Sequence, residues 1–339
     1  MSVHLGAGTA APTITTAYAI EAHDLVKTYG DVRALDGFGF AVPAGTVFGL
    51  LGPNGAGKST TIKILTTLTE ASSGTATVAG HDVRREPDAV RRAIGVVTQR
   101  SGTDPQATGR ENLILAGRIY GMRGTEVKTR ADQLLQRFGL TDAARRVVRM
   151  YSGGMQRKLD VAMGLMHRPE VLFLDEPTTG LDPEARADMW TEIARMADDG
   201  MTVLLTTHYL EEADQLADHL VIVDRGKQVA EGTPDQLKSG LRGDAVVVEL
   251  ASEADLTRAV KAVADLDGTS EITVDGRSVR TRVDHGATAV PAVLAALEAI
   301  GAPVAAITVA RPSLDDVYLR HTGRTFTSAD VAAEQGGDR

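Results

Sequence analysis

Gly52-Pro53-Asn54-Gly55-Ala56-Gly57-Lys58-Ser59-Thr60 combines three spaced glycines with a lysine and two hydroxyls. A backbone this free of side chains curls so that successive N–H groups face an anion. A helix beginning at its end adds the positive end of its dipole. Lys58 is placed to reach the β and γ phosphates of a nucleotide, and the Ser59 hydroxyl to ligate Mg²⁺. Asp175 and Glu176 follow the apolar run Val171-Leu172-Phe173-Leu174. Two carboxylates at the end of a buried strand are costly without a task. Strand alternation points them in different directions, so one is free for a metal shell and the other for an attacking water. Gln99 after Ile94-Gly95-Val96-Val97, a candidate for the metal or that water, and His208 after Met201-Thr202-Val203-Leu204-Leu205 sit at equivalent strand ends. Ser152-Gly153-Gly154 ahead of a helix forms either a second anion cradle or a simple N-cap. The chemistry these types describe is nucleotide binding and phosphoryl transfer.

The elements that must hold these groups are legible in the flanking patterns. Val47-Phe48-Gly49-Leu50-Leu51 reads as a buried strand entering the phosphate loop, and Thr61-Ile62-Lys63-Ile64-Leu65 as the helix leaving it. Apolar strands ending in polar groups are the pattern of an open α/β sheet, whose ligands bind at the carboxyl ends of the strands. Ala19 to Leu51 alternates as short strands, with turns at Tyr29-Gly30-Asp31, Asp36-Gly37 and Pro43-Ala44-Gly45. Tyr29, at a strand end, either stacks on a base or packs on its own sheet. From Thr108 to His167 the periodicity is helical, with Leu113, Ala116, Ile119 and Tyr120 on one face and Leu134, Leu135, Phe138 and Leu140 on another. This is a helical insertion, and Arg145, Arg146 and Arg149 read as its solvated face.

Composition narrows the function class. The chain has 339 residues, 43% hydrophobic and 24% charged, enough for two domains with cores of their own. Its net charge of -9 gives no support to nucleic-acid binding. Without cysteine it has no disulfide or thiolate chemistry. Met1 to Thr16 lacks a basic start and an apolar core, and reads as a frayed tail rather than a signal peptide. Ala289 to Ala310 carries only Glu298, but Pro291, Gly301 and Pro303 divide it into a helix, a turn and a strand rather than a membrane span.

Beyond Gly240 the order is strand (Ala245 to Leu250), helix (Glu253 to Ala264), strand (Glu271 to Val274), the turn Asp275-Gly276, strand (Arg277 to Val283), helix and strand. This β-α-β-β-α-β order predicts a small ferredoxin-like domain without a catalytic constellation, used for packing or dimerisation.

Taken together, residues 19 to 240 resemble the ATP-binding subunits of ABC transporters. Gly52 to Thr60 matches the Walker A motif, Gln99 the Q-loop, Ser152-Gly153-Gly154 the signature, Asp175 the Walker B aspartate and Glu176 the glutamate after it. Leu181-Asp182 matches the D-loop, His208 the switch histidine, and Tyr29 stands where the family places its base-stacking aromatic. Within the family the chain is similar to daunorubicin-resistance drug exporters, through Thr108 to Leu113 and the ending Pro312-Ser313-Leu314-Asp315-Asp316-Val317-Tyr318. It departs from the general signature by having Met155, with Gln156 next, where that signature has glutamine. The resemblance implies a P-loop ATPase domain over residues 17–242, with an antiparallel β subdomain and a helical subdomain near 100–167. It further implies an α+β domain over 243–321 and disordered tails at 1–16 and 322–339. ATP and Mg²⁺ are the implied ligands: Ser59, Gln99 and Asp175 around the metal, Glu176, His208, Lys58 and Gln99 in catalysis, and Tyr29, the phosphate loop, Ser152 to Gly154 and Asp182 on the nucleotide. The implied partners are a second copy, joined head to tail with ATP sandwiched between, and a separately encoded permease at the cytoplasmic face of the membrane. The competing reading is a soluble ATPase of the same family acting on ribosomes or DNA. Such proteins carry two cassettes or a coiled-coil insert, and this sequence has neither.

Overall fold

The structure is a computed structural model that describes residues 18–241 and 243–326. The tail expected at 1–16, and residues 327–339 of the one expected at 322–339, lie outside the described residues. β1 (Tyr18–Tyr29) and β2 (Val32–Pro43) form an antiparallel hairpin whose register shifts mark bulges. The sequence predicts short strands here; the strands are long instead, with irregular stretches bent by the bulges. β3 (Val47–Leu51) crosses to a second sheet and is followed by α1 (Lys58–Leu65). β4 (Ser73–Val78) and β5 (His81–Asp82) return to complete a four-stranded sheet in the order β2-β1-β4-β5.

α2 (Pro87–Ala93) leads into β6 (Ile94–Val97). The helical insertion is α3 (Gly109–Ile119), α4 (Gly124–Arg137), 3-10 turns at Thr141–Ala143 and Val148–Met150, and α5 (Gly153–Gly164). β7 (Val171–Asp175), α6 (Pro183–Asp198), β8 (Thr202–Thr207), α7 (Leu210–Leu216), β9 (His219–Asp224), β10 (Lys227–Gly232) and α8 (Pro234–Ser239) follow. The central sheet is six-stranded, in the order β10-β9-β3-β8-β7-β6. All its strands run parallel except β10, which pairs antiparallel with β9. β3 and β7 are apolar along nearly their whole length, and β8 through Val203, Leu204 and Leu205, because both faces of the sheet are covered. On one face Leu172, Leu174, Val203 and Leu205 pack under the helical insertion and α6. On the other, Phe48, Leu50, Phe173 and Leu204 pack with Phe38 and Phe40 of the antiparallel sheet. Each side chain so buried contributes roughly 1.5–3 kcal/mol. The parallel strands therefore bring Gly52, Gln99, Asp175 and His208 to one edge.

The C-terminal unit contains β11 (Asp244–Leu250), a 3-10 turn at Glu253–Asp255, α9 (Leu256–Ala264), β12 (Thr269–Asp275), β13 (Ser278–Val283), α10 (Gly286–Ala299) and β14 (Val304–Ala310). Its antiparallel sheet, β12-β13-β11-β14, has the ferredoxin-like order. α11 (Leu314–Thr322) then docks on the cassette, burying Leu314, Val317 and Tyr318 against Leu51, Ala213, Leu220 and Ile222. The tail predicted from Thr322 does not begin there. Phe326 is only 3% exposed and meets Tyr318 edge-on at 5.0 Å. No helix among the described residues is long and apolar enough to cross a membrane.

The insertion corrects one reading of the sequence. Leu113 and Ala116 of α3 are buried, but Ile119 is 75% and Tyr120 43% exposed. Periodicity identifies an apolar face without saying whether this chain covers it.

Candidate active site

The phosphate loop is shaped by close packing behind it. A Cβ on Gly52 would lie 2.4 Å from the Val223 carbonyl oxygen. Gly57, at φ +114, would carry a Cβ 2.8 Å from the Ala34 oxygen, so only glycine fits there. The Gly226 N–H, in the turn between β9 and β10, donates to the Ala56 carbonyl at 2.8 Å and supports the loop from below. α1 begins directly at Lys58, and its N-cap, Gly57, supplies no side-chain acceptor, which leaves the helix start oriented for an anion. The Lys58 ammonium is 4% exposed and donates to the carbonyls of Gly52 at 2.6 Å and Pro53 at 3.2 Å.

The chain leaves β7 in an unusual conformation, with Glu176 at φ +49, in the left-handed region that non-glycine residues seldom adopt. This turn is held by Thr206. The Glu176 N–H donates to both the carbonyl and the hydroxyl of Thr206, each at 3.1 Å. The same hydroxyl donates to Asp175 Oδ1 at 2.6 Å, and Ser59 Oγ donates to that oxygen at 3.4 Å. The Glu176 carboxylate, 9% exposed, is the hub of the site. Gln99 Nε2 donates to Oε2 at 3.0 Å, and the Thr179 hydroxyl to the same oxygen at 3.3 Å. His208 Nδ1 lies 3.2 Å from Oε1, and Lys58 Nζ lies 3.6 Å from it. Burial pushes the carboxyl pKa up, but the His208 contact, the Lys58 charge and Thr179 outweigh it and hold the group below its ordinary value. Glu176 is thus a carboxylate near neutral pH. That is the state needed to accept a proton from, or orient, a water.

The remaining predicted residues lie elsewhere. Ser152 caps α5, its hydroxyl accepting from the Met155 N–H at 3.2 Å, so the Ser-Gly-Gly segment is an N-cap in this chain whatever else it binds. Asp182 caps α6 by accepting from the Ala185 N–H at 2.8 Å. Gly154 packs so tightly on α6 that a Cβ would sit 2.8 Å from that of Ala185, which places the signature and Asp182 side by side. Tyr29 ends β1 with 45% exposure, and Lys27 Nζ lies 4.8 Å from its ring centroid. Nothing local in the sequence singles out Thr206, Thr179 or Arg157. Thr206 lies at a strand end and Thr179 in a turn, and Arg157 lies in a basic stretch that resembles a solvated helix face.

A profile of the ABC transporter family matches residues 35–179, and one of the ATP-binding protein DrrA1-3-like C-terminal domain matches residues 232–322. The daunorubicin resistance ATP-binding protein DrrA2 of Streptomyces coeruleorubidus is 48% identical, over 93% of this chain and 98% of the relative. The chain belongs to the daunorubicin-resistance type of ABC transporter ATP-binding subunits. Also similar is the linearmycin resistance ATP-binding protein LnrL of Bacillus subtilis, 36% identical over 91% of this chain and 99% of the relative. Among solved structures, the dimeric post-hydrolysis state of the ATP-binding cassette MJ0796 bound to ADP and Pi is similar with a TM-score of 0.58. It is 25% identical, covering 63% of this chain and 98% of that one. As an ABC ATPase the chain binds and hydrolyses ATP, and the hub at Glu176 lies at the sheet edge where the phosphate loop ends β3.

Proposed function

We propose that this chain powers an exporter of hydrophobic, drug- or antibiotic-like compounds by hydrolysing MgATP at sites shared between two copies. The observation that carries this reading is the convergence of Lys58, Gln99, Thr179 and His208 on the Glu176 carboxylate, beside a second carboxylate on Asp175. Glu176 orients and polarises the water that attacks the γ-phosphate. Lys58 and the loop N–H groups hold the phosphates, and His208 positions the transferring group. Asp175 is served by the hydroxyls of Thr206 and Ser59, an oxygen-rich arrangement that suits a hard cation. Asp175 and Ser59 would hold Mg²⁺, with Gln99 beside them. Bound there, the metal would neutralise charge on the phosphates. Tyr29 lies at the base end of the nucleotide.

Ser152 to Gly154 and Asp182 are separate from the Glu176 hub within one chain. They complete the site of a second copy in a head-to-tail dimer, for which the dimeric relative is the precedent. The domain limits at 17–242 and 243–321 belong to the same proposal. The permease docks at the cytoplasmic face of the membrane on the groove that Leu115, Ile119 and Tyr120 line near Thr98, next to Gln99. The resistance named in the relatives supports the cargo class. An action on ribosomes or DNA has no basic surface of comparable weight to recommend it in a chain of net charge -9.

The test is the purified Glu176→Gln variant. It should bind ATP as wild type does, lose turnover by on the order of 100-fold or more, and pass from monomer to dimer in light scattering when MgATP is added. Undiminished turnover would remove Glu176 from its role, and a monomer in saturating MgATP would contradict the shared sites.

A further inference from the structure

Arg157, in the first half of α5, is 7% exposed. Among the described residues no carboxylate comes within ion-pair distance of it, and its guanidinium is satisfied by main-chain carbonyls instead. Nε donates to Pro177 O at 2.7 Å and Nη1 to Thr98 O at 2.6 Å. Nη2 is shared between Asp175 O at 3.0 Å and Glu176 O at 3.2 Å. A buried, unpaired cation costs several kcal/mol, and an apolar side chain could fill this space without that cost. What the arginine achieves is geometric. Its planar fork joins the end of β6, one residue before Gln99, to the end of β7 on both sides of Glu176.

Glu176 needs such a clamp, because its left-handed backbone at φ +49 persists only where the surroundings over-determine it. Two neighbours extend the grip from the same face of α5. Gln156 Nε2 donates to the Thr103 hydroxyl at 3.1 Å. Asp160 Oδ1 accepts from Ser101 Oγ at 2.9 Å and the Gly102 N–H at 3.0 Å. One helix face thus holds the segment from Thr98 to Thr103 and the backbone of Glu176 together.

We propose that Arg157 is a positioning residue for ATP hydrolysis, keeping Gln99 and the Glu176 carboxylate in register with α5. α5 begins at the signature, so in the dimer proposed above the nucleotide at its start belongs to the other copy. Arg157 then links that nucleotide to this chain's own Glu176 and makes the two sites cooperative. This last clause rests on the dimer reading, whereas the positioning role does not.

The experiment uses the full chain with Arg157→Lys and Arg157→Gln. It measures kcat, KM for MgATP, the Hill coefficient, binding of a fluorescent ATP analogue, and thermal unfolding. Lysine keeps the charge and loses the fork. Misaiming a reacting group by about 1 Å costs on the order of 100-fold. Arg157→Lys should therefore lower kcat by about that factor, leave KM and analogue binding within roughly threefold, and bring the Hill coefficient towards 1. A kcat for Arg157→Lys within threefold of wild type overturns the positioning role. So does a joint collapse of kcat, binding and unfolding temperature, which would mark a structural arginine; if Arg157→Gln does not fold, Arg157→Lys alone decides. Failure of Glu176→Gln to dimerise in MgATP would instead sink the dimer reading and the cooperative link with it, while kcat still judges the clamp.

Discussion

Replacing Thr206 by valine isolates how the site's second carboxylate is held. Valine matches threonine in shape but lacks its hydroxyl, and the side chain is fully buried, so what changes is the hydrogen bonding. The lost hydroxyl donates to Asp175 Oδ1 at 2.6 Å and accepts from the Glu176 N–H at 3.1 Å. The second interaction is backed up, since that N–H also reaches the Thr206 carbonyl at 3.1 Å. The first is not: among the described residues Oδ1 would keep Ser59, at the long distance of 3.4 Å. A hydrogen bond to a charged acceptor is worth about 1.5–3 kcal/mol. Thr206→Val should therefore lower stability by about 2 kcal/mol, read from urea unfolding. If Asp175 holds the metal, loosening the group that orients it should raise the Mg²⁺ half-saturation of the ATPase about 10–100-fold. The assay is turnover against free Mg²⁺ at saturating ATP. Loss of stability with an unchanged Mg²⁺ dependence would refute the assignment of Asp175 to the metal.

Asp316→Ala should destabilise the docking of α11. Asp316 is 2% exposed, pairs with Arg280 and Arg282, and completes the Ser313 capping box; because Arg280 keeps Asp315 and Arg282 keeps Glu271 and the Gly243 carbonyl, about 1.5–3 kcal/mol is expected from the lost charged contacts plus about 1 for the cap, again by urea unfolding. The Glu176 carboxyl is held below its unfolded value near 4.5, so its contribution to stability is complete above that pH and fades as pH falls through the depressed pKa. Acid unfolding curves of wild type and Glu176→Gln should accordingly converge below pH 4.5. Tyr318 behaves oppositely in alkali: burial and the neighbouring Asp224 push its phenol from 10.0 to about 12. Stability supplied by the protonated phenol is full below pH 10 and lost as pH rises toward 12, a decline that Tyr318→Phe should lack in alkaline unfolding.

The parts of the molecule that sequence describes well are those where one local rule dominates. Val47 to Leu51 followed by glycines and Lys58 leaves little choice but strand, anion loop and helix, and the alternation around Asp275-Gly276 yields the ferredoxin-like order. Contacts made at long range were hidden. Arg157 reads as one more basic residue beside Lys158, because nothing local shows that the ends of β6 and β7 surround it. Thr206 looks like strand filler until β7 is laid alongside β8. Ile119 and Tyr120 continue an apolar helix face, and periodicity cannot register that its far end is left uncovered. Phe326 falls in a short polar stretch with no periodic partner, so its burial with Tyr318 against the cassette residues Leu51, Leu220 and Ile222 has no signal in sequence.

The central claim is that this ATPase drives a separate membrane protein. The direct measurement is affinity capture of tagged Glu176→Gln, with MgATP present, from detergent-solubilised native membranes, followed by mass spectrometry. Recovery of one dominant multi-span protein is expected, reduced when Ile119 in the exposed groove is changed to aspartate. Recovery of ribosomal or DNA-associated proteins without a membrane partner would contradict the exporter reading.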